Sequence, residues 1–266
     1  MCEDCGCSAA NLGHTHAHSH DGVNYHTHDA HGDGAHTHDH AHDDHDHDST
    51  ARTIVLERNI LARNDDVAAQ NREWLNRHGV VAVNMISSPG SGKTFLLERT
   101  LERLNGKLKC AVITGDQQTQ NDAKRLEGKG AVVKQIETIS SCHLDAEQIA
   151  RLLPETIGDD TKLLFIENVG NLVCPSAFDL GEHFKIALLS STEGEDKPVK
   201  YPSLFSQAPI VVLTKMDLVP HLDWDLATCR QHLRSVRPGV FIFELSAKTG
   251  DGMDAWIDYL QGLVSE

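Results

Sequence analysis

Residues 87–94 read SSPGSGKT, and they lie between the apolar run VVAVNMI (80–86) and the helical pattern FLLERTLERL (95–104). A strand, a glycine-rich turn ending in Gly-Lys-Thr, and a helix together make a phosphate loop. Its backbone N–H groups wrap phosphates, its lysine reaches the β and γ oxygens, and its hydroxyl binds Mg2+. Gly92, Lys93 and Thr94 fit the pattern GxxxxGK(S/T), while Ser87 stands where the first glycine belongs. The departure is tolerable because Gly90 to Thr94 lie nearest the phosphates and a helix N-terminus follows at once. A plain glycine turn capping a helix is the competing reading, and the strand before and the helix after both weigh against it. Nucleotide contacts are therefore expected from Ser88, Pro89, Gly90, Ser91, Gly92, Lys93 and Thr94.

Further along the chain, apolar β-branched runs recur at 109–114, 131–136, 162–167, 185–190, 209–214 and 240–245, separated by crossover-length helical patterns. Seven buried-type strands spaced in this way predict an α/β fold, a doubly wound and mainly parallel seven-stranded sheet with function at the carboxyl ends of the strands. Residues 53–79 read as an amphipathic helix leading into the first strand and stopping at Gly79.

The run at 209–214 ends in TKMD, which resembles the guanine motif NKxD with Thr214 in place of Asn. Here Lys215 flanks the base and the Asp217 carboxylate can accept from N1–H and N2–H2 of guanine. Adenine offers no such donor pair, and leaving a buried acceptor unpaired costs roughly 1–3 kcal/mol. After the last strand, Ser246, Ala247 and Lys248 match the SAK loop that closes over guanine, so the order of motifs selects GTP over ATP.

Two acidic residues at strand ends, Asp116 and Glu167, are candidates for Mg2+, since hard cations prefer oxygen ligands. Glu167 and Gly170 form a variant of the DxxG switch. Asn171 follows it where some GTPases keep a water-orienting glutamine, which predicts slow turnover. Lys93, Thr94, Asp116 and Glu167 are the residues assigned to hydrolysis.

The chain has 266 residues and a net charge of −15, and its first fifty residues carry ten of the 39 acidic side chains, thirteen of the 18 histidines and no lysine or arginine. Phosphate-backbone recognition needs a basic stripe, which is absent, so nucleic acid is excluded as a partner. There is no apolar run of the roughly eighteen residues that span a bilayer and no signal-peptide pattern, so a cytoplasmic protein without membrane association is expected. Residues 8–50 are a His/Asp-rich segment with little to bury, expected to be disordered and to take up divalent ions weakly. The GTPase domain is placed at 51–266.

Seven cysteines in a reducing compartment read as thiols or metal ligands. Cys2, Cys5 and Cys7, spaced CxxCxC in residues 1–7, can bring three thiolates to one ion. Cys142 and His143 (SSCHLD) and Cys174 (LVCPSAFD) are a weaker internal set. It gains weight because Cys174 lies four residues beyond Gly170. Cys110 and Cys229 sit in apolar or helical surroundings and read as small buried hydrophobes.

MCEDCGC, the His-rich linker, SSPGSGKT, SCHLD, ENVGNLVCP, TKMD and SAKTG together closely resemble the HypB family, nickel-inserting GTPases of [NiFe]-hydrogenase maturation. The resemblance covers nearly the whole chain. It implies a SIMIBI-class, G3E-type P-loop fold and a homodimer favoured by GTP. The implied partners are the metallochaperone HypA and the hydrogenase large-subunit precursor. It further implies a tight Ni2+ site at Cys2, Cys5 and Cys7, and a Ni2+ or Zn2+ site at Cys142, His143 and Cys174. Nickel enters only through this resemblance, because ligand chemistry alone reaches no further than borderline divalent metals. The rivals are an accessory GTPase for urease or cobalt delivery and a passive metal-storage protein.

Overall fold

The computed structural model describes residues 46–116, 121–137 and 143–264. The N-terminal Cys motif, the His/Asp-rich segment up to residue 45, and Cys142 lie outside the described residues. The elements run α1 (Asp46–Arg77), β1 (Val81–Ser87), α2 (Lys93–Leu104), β2 (Cys110–Asp116), α3 (Asn121–Leu126), β3 (Ala131–Glu137), α4 (Ala146–Thr156) and β4 (Leu163–Glu167). They continue with α5 (Cys174–Ala177), β5 (Phe184–Ser190), α6 (Lys197–Lys200), α7 (Pro202–Gln207), β6 (Ile210–Thr214), a 3-10 turn (Met216–His221), α8 (Leu226–Val236), β7 (Phe241–Glu244) and α9 (Met253–Gly262).

The seven strands form one sheet in the order β3-β2-β4-β1-β5-β6-β7, and every pairing is parallel. Each strand expected from its apolar run is present. β4 and β6 are buried along their whole length, as strands covered by helices on both faces must be. Side chains alternate between the two covers: on β1, Val83 and Met85 join Leu96, Leu101, Trp256 and Leu260 under α2 and α9. Ala82 faces the opposite layer with Leu75, Ile149 and Leu153 of α1 and α4. Beyond them, Ile86 meets Leu204, Phe205 and Leu233 of α7 and α8. Each large side chain fully buried in this way contributes about 1.5–3 kcal/mol.

Helix α1 begins at Asp46, upstream of the predicted start at Thr53 and inside the segment read as His/Asp-rich linker. It is fastened by polar side chains as well as by its apolar stripe. Asn64 Oδ1 accepts from Ala146 N (2.9 Å), Asn71 Nδ2 donates to Ala146 O (2.8 Å) and Leu180 O (3.0 Å), and Arg72 makes a bidentate pair with Asp179 (2.6 and 2.7 Å). No helix among the described residues is long and apolar enough to cross a membrane.

β1 lies between β4 and β5; the crossover from β1 runs to β2 on one side and that from β4 passes to β5 on the other, so a crevice opens beyond the carboxyl end of β1. SSPGSGKT occupies that position.

Candidate functional site

Gly90 (φ 75°) and Gly92 (φ 91°) both adopt the left-handed conformation, which a side chain would strain. Gly92 caps α2 without any side-chain hydrogen bond to the helix, and the first turn holds no acidic residue. The opening N–H groups of α2 are therefore free of capping side chains, and the helix dipole favours an anion there. Ser87 is fully buried. Its hydroxyl donates to Ser88 O (3.0 Å) and accepts from Ser91 Oγ (2.7 Å), so its side chain braces the loop. A serine fits here because this position has no positive φ.

Beneath the loop, the carboxylate of Glu167 is 1% exposed and gathers three groups from two elements, α2 and β2. Lys93 Nζ lies 3.1 Å and Thr94 Oγ1 2.6 Å from Oε1, and Thr114 Oγ1 from β2 lies 3.3 Å from Oε2. If Lys93 swings to phosphate oxygens, this buried carboxylate loses its cation, a costly state unless another positive charge replaces it. Hydroxyl and carboxylate oxygens are the donor set a Mg2+ ion prefers, so the residues fit that ion. Asp116 ends β2 two residues beyond Thr114, on the edge of the same crevice; its side chain lies outside the described residues.

On the other side of the loop, Thr214 Oγ1 donates to Ser91 O (2.7 Å) and Lys215 Nζ to Gly90 O (2.7 Å). The hydroxyl at 214 thus ties β6 to the phosphate loop in a motif that usually carries asparagine. Lys215 has φ 58°, the only positive φ at a non-glycine among the described residues, and this turn lays its stem along Gly92, whose added Cβ would meet Lys215 Cε at 3.8 Å. Asp217 is half-buried and accepts from Ser246 Oγ (2.6 Å), so TKMD and SAK meet as expected. Ala247 packs on the core edge and Lys248 is exposed.

Gly170 passes so close to the loop that an added Cβ would stand 3.1 Å from Pro89 Cα. Asn171 Oδ1 accepts from Val173 N (2.9 Å), which commits its amide to the local turn. Cys174 opens α5 and is partly exposed. His143 stacks on Phe178 (ring centroids 3.9 Å apart, 23° between planes), which brings His143 beside the segment carrying Cys174. Burial, opposed by Asp145, lowers the His143 pKa and keeps the imidazole neutral, the form that binds metals. Among the described residues no three His, Cys, Asp or Glu side chains are grouped to hold a metal, and Cys142 lies outside them. Cys110 and Cys229 are buried and their thiols are pushed up to about 12, unsuited to ligation at neutral pH.

Three site residues were not singled out from the motifs, Thr114, Asn168 and Lys197, the last donating to Ser88 Oγ (3.1 Å) and pairing with Glu193 (3.0 Å), while Thr214 was read only as a departure. Their contacts cross between elements distant in sequence, and only Thr214 carried a signal, as the odd residue of a motif.

Residues 81–244 match the family described as CobW/HypB/UreG, nucleotide-binding domain. The hydrogenase maturation factor HypB of Rhizobium leguminosarum bv. viciae is 49% identical over 213 residues, 80% of this chain and 71% of that protein. Two solved structures are also similar. HypB from Archaeoglobus fulgidus has TM-score 0.73 and 40% identity, covering 77% of this chain and 100% of that one. HypB from Helicobacter pylori in complex with nickel has TM-score 0.71 and 37% identity, covering 76% of this chain and 95% of that one.

Proposed function

The chain belongs to the CobW/HypB/UreG family, on its HypB branch, and from that premise we propose that it is a GTP-hydrolysing nickel carrier serving [NiFe]-hydrogenase maturation. The observation that carries the reading is the convergence of Lys93, Thr94 and Thr114 on the buried Glu167 beneath a helix N-terminus free of capping side chains.

The residues act in order. Triphosphate enters against the N–H groups of residues 90–94, and Lys93 leaves Glu167 for the phosphate oxygens. Thr94, Glu167 and Asp116 would hold Mg2+, which when bound offsets charge on the phosphates. Asp217, oriented by Ser246, accepts the donor edge of guanine. Gly170, in contact with Pro89, places the 168–174 turn where a γ-phosphate is felt, and Cys174 lies at the end of that turn. With Asn171 engaged locally, no side chain of the turn is poised to orient water, consistent with slow hydrolysis paced by a partner or by dimerisation.

Nickel is cargo: Cys2, Cys5 and Cys7 collect it, the His/Asp-rich segment stores it, and Cys142, His143 and Cys174 hold Ni2+ or Zn2+ in the domain. The partners under this reading are a second copy of the chain, HypA and the large-subunit precursor, in the cytoplasm.

The test is phosphate release from GTP and ATP by the full chain, paired with hydrogenase activity in cells lacking the gene. GTP selectivity is expected, together with loss of both hydrolysis and hydrogenase activity in Lys93→Ala and rescue of the deletion by added nickel. A Lys93→Ala chain that still supports hydrogenase would instead identify a passive metal store.

A further inference from the structure

We propose that Asn84, Asn168, Glu182 and Lys185 form a buried polar relay that transmits the state of the nucleotide site to the two segments bearing His143 and Cys174. The proposal rests on the reading that GTP turnover gates metal binding, and it names the residues that perform the gating.

Asn84 sits in the middle of β1, amid Val83, Met85 and Ile86, and is 0% exposed, as is Asn168; Glu182 is 4% exposed. Polar groups so deep are retained only when bonded, and an apolar residue on β1 would satisfy the sheet more simply. Hydrogen bonds join Asn168, Asn84 and Glu182 in a line, and a longer ion pair of 4.0 Å carries it on to Lys185. Asn168, the residue after Glu167, accepts at Oδ1 from Leu144 N (3.4 Å) and Val169 N (2.9 Å). Its Nδ2 donates to Asn84 Oδ1 (3.3 Å), and Asn84 Nδ2 donates to Glu182 Oε1 (3.2 Å). Lys185, the β5 register partner of Asn84, brings Nζ to 4.0 Å from Glu182 Oε1. That ammonium donates to Ser176 O (2.7 Å) inside the helix that Cys174 opens, and to Gln207 Oε1 (2.9 Å).

One end of the line therefore holds the backbone beside His143 and the other holds the turn of Cys174, with the switch strand between them. The bonds from Asn168 to Leu144 N and to Asn84 Oδ1 are already long, so a displacement of a few tenths of an ångström at 167–170 stretches them past useful length or tightens them. Motion at the γ-phosphate then reaches both ligand segments through the interior.

The experiment uses the full chain with Cys2, Cys5 and Cys7 replaced by serine. Sulfur-to-nickel charge-transfer absorption then reports the domain thiolates, because Cys110 and Cys229 are buried with raised pKa. Ni2+ is titrated with a non-hydrolysable GTP analogue and with GDP. The parent is expected to show affinities differing by about 5- to 150-fold between the two states. Asn84→Leu and Lys185→Met, which cut the line at different points, should each bring that ratio to within about twofold of one while nucleotide affinity is retained. Thr100→Val, a buried polar substitution outside the line, should keep the parent ratio. Thermal unfolding identifies any variant that fails to fold, in which case the other one decides. A folded Asn84→Leu or Lys185→Met that keeps the parent ratio overturns the relay and leaves nucleotide gating intact. A parent ratio of one removes the gating itself, and the relay with it.

Discussion

Substituting Gly170→Ala tests whether the switch turn reads the γ-phosphate. The new Cβ would stand 3.1 Å from Pro89 Cα, 3.2 Å from Pro89 N and 3.3 Å from its Cγ, where ordinary contact begins at 3.4 Å. All three atoms belong to a backbone and ring that cannot fold aside, so the 168–172 turn must retreat by a few tenths of an ångström. Overpacking of this kind costs about 1–3 kcal/mol, which converts to about 5- to 150-fold in an equilibrium constant. The cost falls on the state in which the turn lies closest to the loop. Affinity for a fluorescent non-hydrolysable GTP analogue should therefore drop by that factor, while affinity for the matching GDP analogue changes by less than about threefold. Stopped-flow binding of both analogues gives the two constants directly, and thermal unfolding of the nucleotide-free variant separates misfolding from mispositioning. Equal losses for both nucleotides, or none for either, would refute the assignment of Gly170 to the γ-phosphate.

Replacing Asp217→Asn leaves the Ser246 contact possible but puts an amide where guanine presents two donors. GTP affinity should fall by about 1–3 kcal/mol while xanthosine triphosphate, with a carbonyl at the 2-position, gains, as competition binding will show. Thr214→Val removes the bond from β6 to Ser91 O and leaves a buried carbonyl unpaired. The expected cost is about 1–3 kcal/mol of stability in urea titration, with GTP and GDP affinities falling together. Asp179 is partly buried, which alone would raise its pKa, but Arg72 and the Gly181 N–H hold it below the usual 3.8. That contribution is present above pH 3.8 and is lost as pH falls through the lowered value, so Arg72→Met should flatten the acid limb of the urea midpoint against pH.

The fold could be read from the chain because β4 and β6 are apolar runs bounded by turns and β1 is broken within its apolar run only at Asn84. The start of α1 could not, since 46–52 is polar and lacks helical periodicity. In the site, Lys93, Thr94, Asp217 and Ser246 announced themselves through motif spacing along one stretch of chain. Thr114 bonding Glu167 and Lys197 bonding Ser88 join residues 53 and 109 apart, and only the parallel sheet brings them together. Asn84 was the least visible: an asparagine inside VVAVNMI reads as a blemish in a strand until its two partners are in place.

The parallel pairing of β1 also sets the order in which the molecule can come into being. β1 has β4 and β5 as its only neighbours, joined at Val81 to Leu163 and at Val83 to Phe184. During synthesis at about 5–20 residues per second, the roughly 100 residues between Val83 and Phe184 correspond to about 5–20 s in which β1 lacks its second neighbour. The phosphate loop at its end acquires its braces later still, since Thr214 and Lys215 follow β5. Nucleotide competence is thus a late event in the life of each chain, whereas Cys2, Cys5 and Cys7 leave the ribosome before any strand of the sheet. A nascent chain has soft metal ligands before it has a motor. Under the proposed function, its earliest encounter with nickel would be governed by thiolate chemistry alone, with GTP acting on the metal only once the sheet has closed.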